Sequence, residues 1–395
     1  MKPATQVPGT APLTATAYTG SDLPVAKRRR PSGSPHAWSK QTLTDRQAAR
    51  LASCTATRRD HRLSAFAADD AVLSKPSTPA WAGASILSRL LNLAFSIPAL
   101  STALKQTAKT KIISEAEQKG VPWQQTVADL QGSSQVYELE AMLRNAALHY
   151  PQYYLQEFHA YPEGNLGWLP AFEAEPATDL VAVRSLAQKG LSPAEAQQQL
   201  RNSINRAIQE YITAYDACDP GSIVDLGCGV GISSRSLAEH FASAQSVLGI
   251  DLSPFFLAVA ELRRREAPQR SWSWSSRTSY RHGLCEATEL PDASVDLVNA
   301  SFLVHECTAE ACAEIVREAR RVLRPGGILA LTDNDPGSQV LKEMNVMMVL
   351  RKITEPWADQ FYMLDQEALL RDNGFQSVQC RGISLRHRVV LGQAV

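Results

Sequence analysis

Residues 223–234 read IVDLGCGVGISS, and this stretch decides the fold. A short apolar run ends at Asp225 and opens into glycines at positions 227, 229 and 231. A second apolar run, 247–250, ends in Asp251, twenty residues after the last glycine. Two strands that each end in a carboxylate, joined by a glycine turn and a helix, form half of a nucleotide-binding βαβ unit. Because the second carboxylate can accept both hydroxyls of a ribose, the pattern predicts an adenosine-containing cofactor.

The order of residues in the glycine turn narrows the choice of cofactor. The dinucleotide fingerprint G-x-G-x-x-G needs glycine where Ile232 stands, and a phosphate loop needs a lysine that this turn lacks. The turn reads D-x-G-x-G-x-G from Asp225 to Gly231. A carboxylate at its head would repel a pyrophosphate, but it suits a cofactor that carries an ammonium and a sulfonium. The turn resembles motif I of class I S-adenosylmethionine (SAM) methyltransferases.

Further motifs extend this resemblance over roughly residues 205–394. Asp251 is similar to the ribose-binding acid, and Glu286 stands where the family commonly has an Asp near the adenine amino group. Residues 295–298, 323–327 and 364–375 resemble the fourth strand, the turn before the fifth strand and the last helix. The resemblance implies SAM as cofactor. The cofactor-binding residues that it implies are Asp225, Gly227, Cys228, Gly229, Gly231, Asp251, Leu252, Glu286, Ala287 and Ser301.

Alternating apolar runs and helical segments predict an α/β fold with a parallel sheet and helices on both faces. Strands are expected near residues 222–226, 246–250, 279–284, 295–301, 327–333, 376–382 and 385–392. The resemblance implies a Rossmann-like sheet of seven strands, in which the seventh runs antiparallel beside the fifth. Ligands of such sheets bind beyond the carboxyl ends of the strands.

Composition excludes several classes of protein. The chain has 395 residues, 44% of them hydrophobic, and no net formal charge, so we expect no nucleic-acid partner. No apolar run reaches the roughly 18–20 residues of a membrane-spanning helix. We also expect no metal site. The seven cysteines form no C-x-x-C pair, and Ala309 replaces the second histidine of an H-E-x-x-H motif that would begin at His305.

Three regions precede or contain the glycine turn. Residues 1–78 contain few acidic residues, are rich in Ala, Ser, Thr and Pro with many arginines, and should be disordered. This composition is typical of an organelle transit peptide, with a nuclear import patch at 27–30 or a plain solvated extension as alternatives. The chloroplast is the expected location; the mitochondrion and the cytoplasm are alternatives. Residues 79–204 are expected to form a helical cap and substrate region, and residues 205–395 the SAM-binding domain.

The cap contains three recognisable helical patterns. Residues 86–100 carry one apolar face, which would pack in the core or lie on a membrane surface as a peripheral contact. Residues 137–150 form a second amphipathic pattern that stops before Pro151. Ser192, Pro193 and Glu195 form a capping box that predicts a helix running to about Tyr215.

Candidate acceptor-binding residues lie in four segments. Residues 153–168 are dense in aromatic and polar groups without a helical or strand period, and they would form either a packed loop or a lid. His305 follows the fourth strand, so its imidazole could take a proton from the acceptor or could simply order the loop. Asp333 is expected in a polar turn after the fifth strand. The substrate residues that these segments suggest are His159, Tyr161, Asn165, Trp168, Glu306, Asp333, Trp357 and Tyr362.

The motifs therefore predict SAM-dependent methyl transfer to a small molecule such as a quinone, a phenol or a carboxylic acid. The chain resembles the type 11 subgroup, which includes the ubiquinone and menaquinone C-methyltransferases. Three segments, 158–168, 305–306 and 354–357, are similar to a group of plant and green-algal methyltransferases, many with plastid signals. A sterol- or lipid-type methyltransferase and a SAM-binding pseudoenzyme that serves as an assembly factor remain alternatives. The oligomeric state stays open.

Overall fold

The computed structural model describes residues 98–186, 190–270, 273–338, 340 and 354–395. The expected disordered tail lies outside these ranges. So does the helix expected at 86–100, apart from its last three residues. Most of residues 338–354, whose Met- and Val-rich sequence predicts another helix, also lie outside these ranges. The described residues belong to one compact unit. The boundary expected between residues 204 and 205 remains a prediction.

Seven strands form one mixed sheet, in the order β3-β2-β1-β4-β5-β7-β6. In chain order they are β1 (Ser222–Leu226), β2 (Ser246–Asp251), β3 (Thr278–His282), β4 (Val295–Ser301), β5 (Leu323–Asn334), β6 (Phe375–Gly382) and β7 (His387–Ala394). Strands β1 to β5 pair in parallel, and β7 runs antiparallel to both β5 and β6. The Rossmann-like sheet and the antiparallel seventh strand beside the fifth are confirmed.

Strand β1 lies at the point where the strand order reverses, because it pairs with β2 on one side and β4 on the other. Asp225 is opposite Gly249 in β2 and Asn299 in β4. The carboxyl ends of all three strands therefore meet at one edge of the sheet. This is where the loops that follow the strands can enclose a ligand.

The described helices cover both faces of the sheet. They are α1 (Pro98–Gln118), α2 (Trp123–Gln131), α3 (Ser134–Leu143), α4 (Trp168–Ser185), α5 (Pro193–Ala214), α6 (Ile232–His240), α7 (Pro254–Glu266), α8 (Ala309–Val322), α9 (Ala358–Met363) and α10 (Gln366–Asp372). On one face, α8, α9 and α10 pack against β1, β4, β5 and β7. On the other, α5 and α6 pack around Ile223, Leu297 and Leu391.

Helices α1 to α4 form the cap over the carboxyl edge. Leu130, Val136 and Phe172, from three of these helices, share a core with Ala258 and Leu262 of α7. Trp168 at the start of α4 packs against Phe172 and Phe255 at ring-centroid distances of 5.4 and 4.9 Å. The cap is thus fixed to the sheet domain by apolar contacts. None of the described helices has the length and hydropathy needed to cross a membrane.

Helix α5 begins at the capping box expected from the sequence. The Ser192 side chain accepts a hydrogen bond from the Glu195 backbone N–H at 3.3 Å, and the Glu195 carboxylate accepts one from the Ser192 N–H at 2.9 Å. Two otherwise unpaired N–H groups of the first turn are thereby satisfied. The box is confirmed, and α5 ends before Tyr215 as expected.

The prediction of an amphipathic helix over residues 137–150 is wrong at the C-terminal end. Helix α3 stops at Leu143, and the chain turns at Asn145. The Asn145 N–H donates to Nδ1 of His282 at 2.8 Å, and the Ala147 N–H donates to the Asn145 side chain at 3.1 Å. These contacts replace the helical hydrogen bonds, so the following residues form a loop over the edge of the sheet.

Candidate functional site

A cavity of about 650 Å³ opens beyond the carboxyl ends of the strands. Its described walls run from the glycine turn, through the loops after β2 and β4, to α1 and α4 of the cap. These walls contain both apolar side chains, such as Ile112 and Leu180, and charged ones. The cavity joins the predicted cofactor residues to the cap, so two ligands can share it.

The glycine turn presents bare backbone to the cavity. Gly227 has a φ of +63°, and a Cβ on it would lie 2.7 Å from Leu303. The Cys228 N–H donates to the Ile250 carbonyl at 3.1 Å, which ties the turn to β2. Gly231 has a φ of +79° and is the N-cap residue of α6. The turn therefore needs glycine at these positions, and it lets a ligand lie against the main chain.

Asp225 holds the turn in place from behind. Its fully buried carboxylate accepts hydrogen bonds from Ser233, Ser234 and Asn299, each at 2.6 Å. Burial raises its pKa above the ordinary value, although these hydrogen bonds act in the opposite direction. Asp225 is absent from the described walls of the cavity. It connects β1, β4 and α6, and the sequence argument for direct contact with the cofactor gains no support.

Asp251 ends β2 and lies in the cavity wall. Its two oxygens accept the N–H groups of Gly229 and Ser253, each at 2.8 Å. Burial, together with the nearby carboxylates of Glu306 and Asp225, outweighs these hydrogen bonds and raises the pKa of Asp251 to about 7. The carboxylate is held rigidly beside the glycine turn, where a ribose would contact it.

Glu286 and the loop after α3 form the next part of the wall. The Tyr153 hydroxyl donates a short hydrogen bond to Oε1 of Glu286, whereas Oε2 is buried without a partner. The His282 Nδ1 accepts from Asn145, so Nε2 carries the ring proton and donates to the Leu252 carbonyl at 2.9 Å. An adenine amino group is a donor that would satisfy the orphaned Glu286 oxygen. With Asp251 and the glycine turn, this wall fits SAM.

His305 and Asp333 form a buried pair on the other side of the cavity. The His305 Nδ1 lies 2.9 Å from Oδ1 of Asp333, and the His305 backbone N–H donates to Oδ2 at 3.1 Å. Burial lowers the pKa of His305, but the Asp333 carboxylate outweighs it and raises the pKa to about 9. The ring is thus cationic at neutral pH in the free protein. His305 would have to lose its own proton before it could accept one from the acceptor. The pair fixes the ring and leaves Nε2 for the cavity.

Three distant segments meet beside this pair. Glu306 accepts a hydrogen bond from the Asn165 side chain at 2.8 Å, and its other oxygen lies 3.9 Å from Nε2 of His305. His159 has Nε2 at 3.4 Å from a Glu355 oxygen, and its backbone N–H donates to the Thr354 carbonyl at 2.7 Å. Burial raises the pKa of Glu306. Segments 158–165, 305–306 and 354–355 therefore form one polar rim on the cavity.

The cavity wall contains most of the predicted site residues. These are Gly227, Cys228, Gly229, Asp251, Leu252, Glu286, Ser301, His159, Tyr161, Asn165, His305 and Glu306. Their roles in binding remain predictions. Seven others are outside the described wall, namely Asp225, Gly231, Ala287, Trp168, Asp333, Trp357 and Tyr362.

Five of these seven residues lie in other parts of the fold, and Asp225 and Gly231 are described above. Trp168 starts α4 and packs among the rings of the cap core instead of forming part of a lid. Tyr362 is 3% exposed in the core between α9 and the sheet, and Trp357 precedes α9. Ala287 is exposed. Asp333 belongs to β5 itself, not to a turn after it, and holds His305.

Sequence reasoning missed four wall residues with distinctive surroundings. Tyr153 and Tyr154 lie in the aromatic segment, but their contact with the cofactor side depends on the early end of α3. Glu355 stands in the T-E-P-W segment, where only the tryptophan was singled out. Arg201 is 7% exposed, and its Nε and Nη1 have no hydrogen-bond partner. Arg201 lies on an amphipathic helix among many polar residues, so the sequence gives no signal that its guanidinium reaches the cavity.

The chain is similar to known methyltransferases. The family described as "Methyltransferase domain" matches residues 224–331. An uncharacterized methyltransferase of Synechocystis sp. is 32% identical over 166 residues, which are 41% of this chain and 71% of that protein. The arsenite methyltransferase of Aquipseudomonas alcaligenes is 31% identical over 163 residues, 40% of this chain and 44% of that protein.

The name of a third relative indicates a different acceptor. The malonyl-[acyl-carrier protein] O-methyltransferase of Serratia marcescens is 31% identical over 137 residues, 34% of this chain and 48% of that protein. The chain thus spans about half the length of the latter two relatives, and their names differ in the acceptor.

Proposed function

Because this chain belongs to the class I SAM-dependent methyltransferases, we propose that it methylates a small-molecule acceptor held between the cap and the His305–Glu306 rim. The observation that carries the proposal is the continuous cavity, whose wall includes Asp251 and the glycine turn on one side and the polar rim on the other. A donor and an acceptor can therefore meet inside it. This cavity also favours an enzyme over a pseudoenzyme, whose cap would be filled by its own side chains.

The protein's task is to position the two ligands and exclude water. When bound, SAM supplies a methyl group whose carbon bonds to the acceptor while the carbon–sulfur bond breaks and its electron pair stays on sulfur. Asp251 would hold the ribose, Glu286 the adenine amino group, and the bare turn at Gly227 the methionine part. The cap helices would close over both ligands. His305, oriented by Asp333, would contact the acceptor through Nε2.

The acceptor class is a finer proposal. Quinones, phenols and carboxylic acids suit a cavity lined by apolar groups such as Ile112, Leu180 and Phe302 together with a few polar ones. The Nε and Nη1 of the Arg201 guanidinium have no hydrogen-bond partner and favour a ligand with a carboxylate, a group that SAM itself also carries. A sterol- or lipid-type acceptor is the alternative, since the apolar walls would accept it too.

The cell biology is proposed from the sequence resemblance alone. We propose a plastid enzyme related to the plant and green-algal group and to the quinone C-methyltransferases, with residues 1–78 as a transit peptide. The mitochondrion and the cytoplasm are the alternatives for its location. A peripheral contact with a membrane through residues 86–100 belongs to the same proposal.

Transfer of a tritiated methyl group from SAM tests the proposed activity. The full chain would be incubated with panels of quinones, phenols, carboxylic acids and sterols. We expect tritium in at least one extracted product, and far less of it at the same SAM concentration with an Asp251→Ala variant that has a native circular dichroism spectrum. Tight SAM binding without transfer to any panel member would instead support the pseudoenzyme.

We predict that SAM binding weakens in acid. Asp251 must be ionised to accept the ribose hydroxyls, and its pKa in the free protein is about 7. The fraction of ionised Asp251 falls about tenfold between pH 8 and pH 6, so the Kd for SAM should rise about tenfold. Because this pKa lies above the unfolded value, the carboxyl stabilises the free fold at low pH and loses that contribution as pH rises through 7.

Calorimetric titrations of SAM at pH 6, 7 and 8 measure this dependence. Asp251→Asn, which cannot titrate, is the matched control and should bind SAM with a Kd that changes much less over the range. An equal pH dependence in both proteins would assign it to another group, such as the neighbouring Glu306.

A further inference from the structure

The polar rim brings three potential metal ligands to one point. Nε2 or Nδ1 of His159, a ring nitrogen of His305 and a carboxylate oxygen of Glu306 all lie within 4.8 Å of one another. A Glu355 oxygen lies 3.4 Å from Nε2 of His159, which places a fourth donor at the edge of the group. Two ligands of a tetrahedral Zn²⁺ site are roughly 3.4 Å apart, so small side-chain movements would close this group around an ion.

Two of these ligands are oriented by a second layer of contacts. Asp333, which is fully buried, holds Nδ1 of His305 at 2.9 Å and so directs Nε2 to the rim. The Asn165 side chain donates to one oxygen of Glu306 at 2.8 Å, and the other Glu306 oxygen lies 3.9 Å from Nε2 of His305. Carboxylate-to-histidine contacts of this kind are what fix metal-binding histidines in known sites.

The charge of the rim also favours a cation. Three carboxylates, of Glu306, Glu355 and Asp333, surround two imidazoles. The side chains of His305, Glu355 and Asp333 are 7%, 5% and 0% exposed. Buried carboxylates are costly unless positive charge lies among them, and a protonated His305 ring would balance only one of these three. His159, whose side chain is 40% exposed, would complete the site from the cavity mouth.

We propose that His159, His305 and Glu306 bind one divalent transition-metal ion, with Glu355 as a fourth ligand. Two imidazoles and a carboxylate suit Zn²⁺, Fe²⁺, Co²⁺ and Mn²⁺ better than Mg²⁺ or Ca²⁺, which prefer oxygen ligands alone. The sequence predicts no metal site because its local spacings match no metal-binding motif. The ligands of this site come from three segments that are up to about 200 residues apart.

The position of the ion suggests its use, and only this step depends on the proposed methyl transfer. The rim and the cofactor side line the same cavity, so a metal-bound acceptor oxygen would lie near the methyl donor. Coordination lowers the pKa of a bound hydroxyl, whose proton would leave to solvent before the oxygen takes the methyl group. Acceptors with two adjacent oxygen donors, such as vicinal hydroxyls or a hydroxy acid, fit best.

The test is titration of Co²⁺ and Zn²⁺ into the chelator-treated full chain, followed by calorimetry and, for Co²⁺, visible absorption. We expect one ion per chain. His159→Ala and Glu306→Gln should each weaken binding at least tenfold, and Asp333→Asn should weaken it by about 10–100-fold through His305. His149→Ala is the matched control, since His149 is exposed and outside the described cavity wall, and its affinity should be unchanged.

Each variant would also be titrated with SAM. Unchanged SAM binding in His159→Ala would show an intact fold, and it separates this proposal from the assignment of the cofactor site. Failure of the native chain to bind either ion while it still binds SAM would overturn the metal site. So would an equal loss of metal binding in the His149 control, because the ions would then be bound adventitiously at surface histidines.

Discussion

Replacing Asp251 with Ala should weaken SAM binding by about 100-fold or more. The change removes the acceptor of the ribose hydroxyls, and a hydrogen bond to a charged group contributes about 1.5–3 kcal/mol. Two such bonds correspond to at least about 3 kcal/mol, or roughly two orders of magnitude in Kd. Calorimetric titration of SAM into the variant measures the loss directly.

Asp251→Asn separates ligand binding from loop structure. The two oxygens of Asp251 also accept the N–H groups of Gly229 and Ser253, and Asn keeps one acceptor of the same shape. We expect an intermediate Kd for Asn, with native circular dichroism spectra for both variants. An Ala variant that folds and binds SAM as the native chain does would disprove the assignment of Asp251 to the ribose.

Replacing Asp225 with Ala should lower the free energy of unfolding by about 3 kcal/mol. The change leaves the Ser233 and Ser234 hydroxyls and the Asn299 amide without their buried acceptor. An unsatisfied buried donor costs about 1–3 kcal/mol, and the hydroxyls can turn to other partners, so the sum is less than three full penalties. Urea unfolding followed by circular dichroism measures the change.

Asp225→Asn is the informative companion. It keeps the shape and one acceptor oxygen, and it removes a buried charge whose pKa is raised by desolvation. We therefore expect the Asn variant to lose much less stability than the Ala variant. Equal losses would mean that the charge itself, and not the acceptor geometry, holds the turn between β1, β4 and α6.

The sheet could be predicted because its signals are local. Strands near 222–226 and 295–301 follow apolar runs with clear ends, and the structure confirms both ranges. Strand β5 begins at Leu323, four residues before the expected start, because Leu323 pairs with Val295 across a bulge. Helix α3 ends earlier than expected because the Asn145 N–H donates to His282, 137 residues away. No local sequence pattern shows such a contact.

The cofactor side could be predicted from the same local motif, whereas the contacts that join the acceptor-side residues could not. Gly227 and Asp251 carry their geometry in the turn and the strand end. The rim depends on Asn165, Glu306 and Glu355, which meet only after the sheet and cap have folded together. The prediction that Trp168 contacts the substrate fails for a related reason. An aromatic residue in an irregular segment gives the same sequence pattern whether it packs in the core or faces a ligand.

Titration of SAM, and of NAD in parallel, into the full-length chain tests the central claim most directly. The glycine turn with Ile232 and the wall of Asp251 and Glu286 predict one SAM site of micromolar affinity and no measurable binding of NAD. A folded chain that binds NAD instead, or that binds neither molecule, would contradict the assignment of this cavity to SAM.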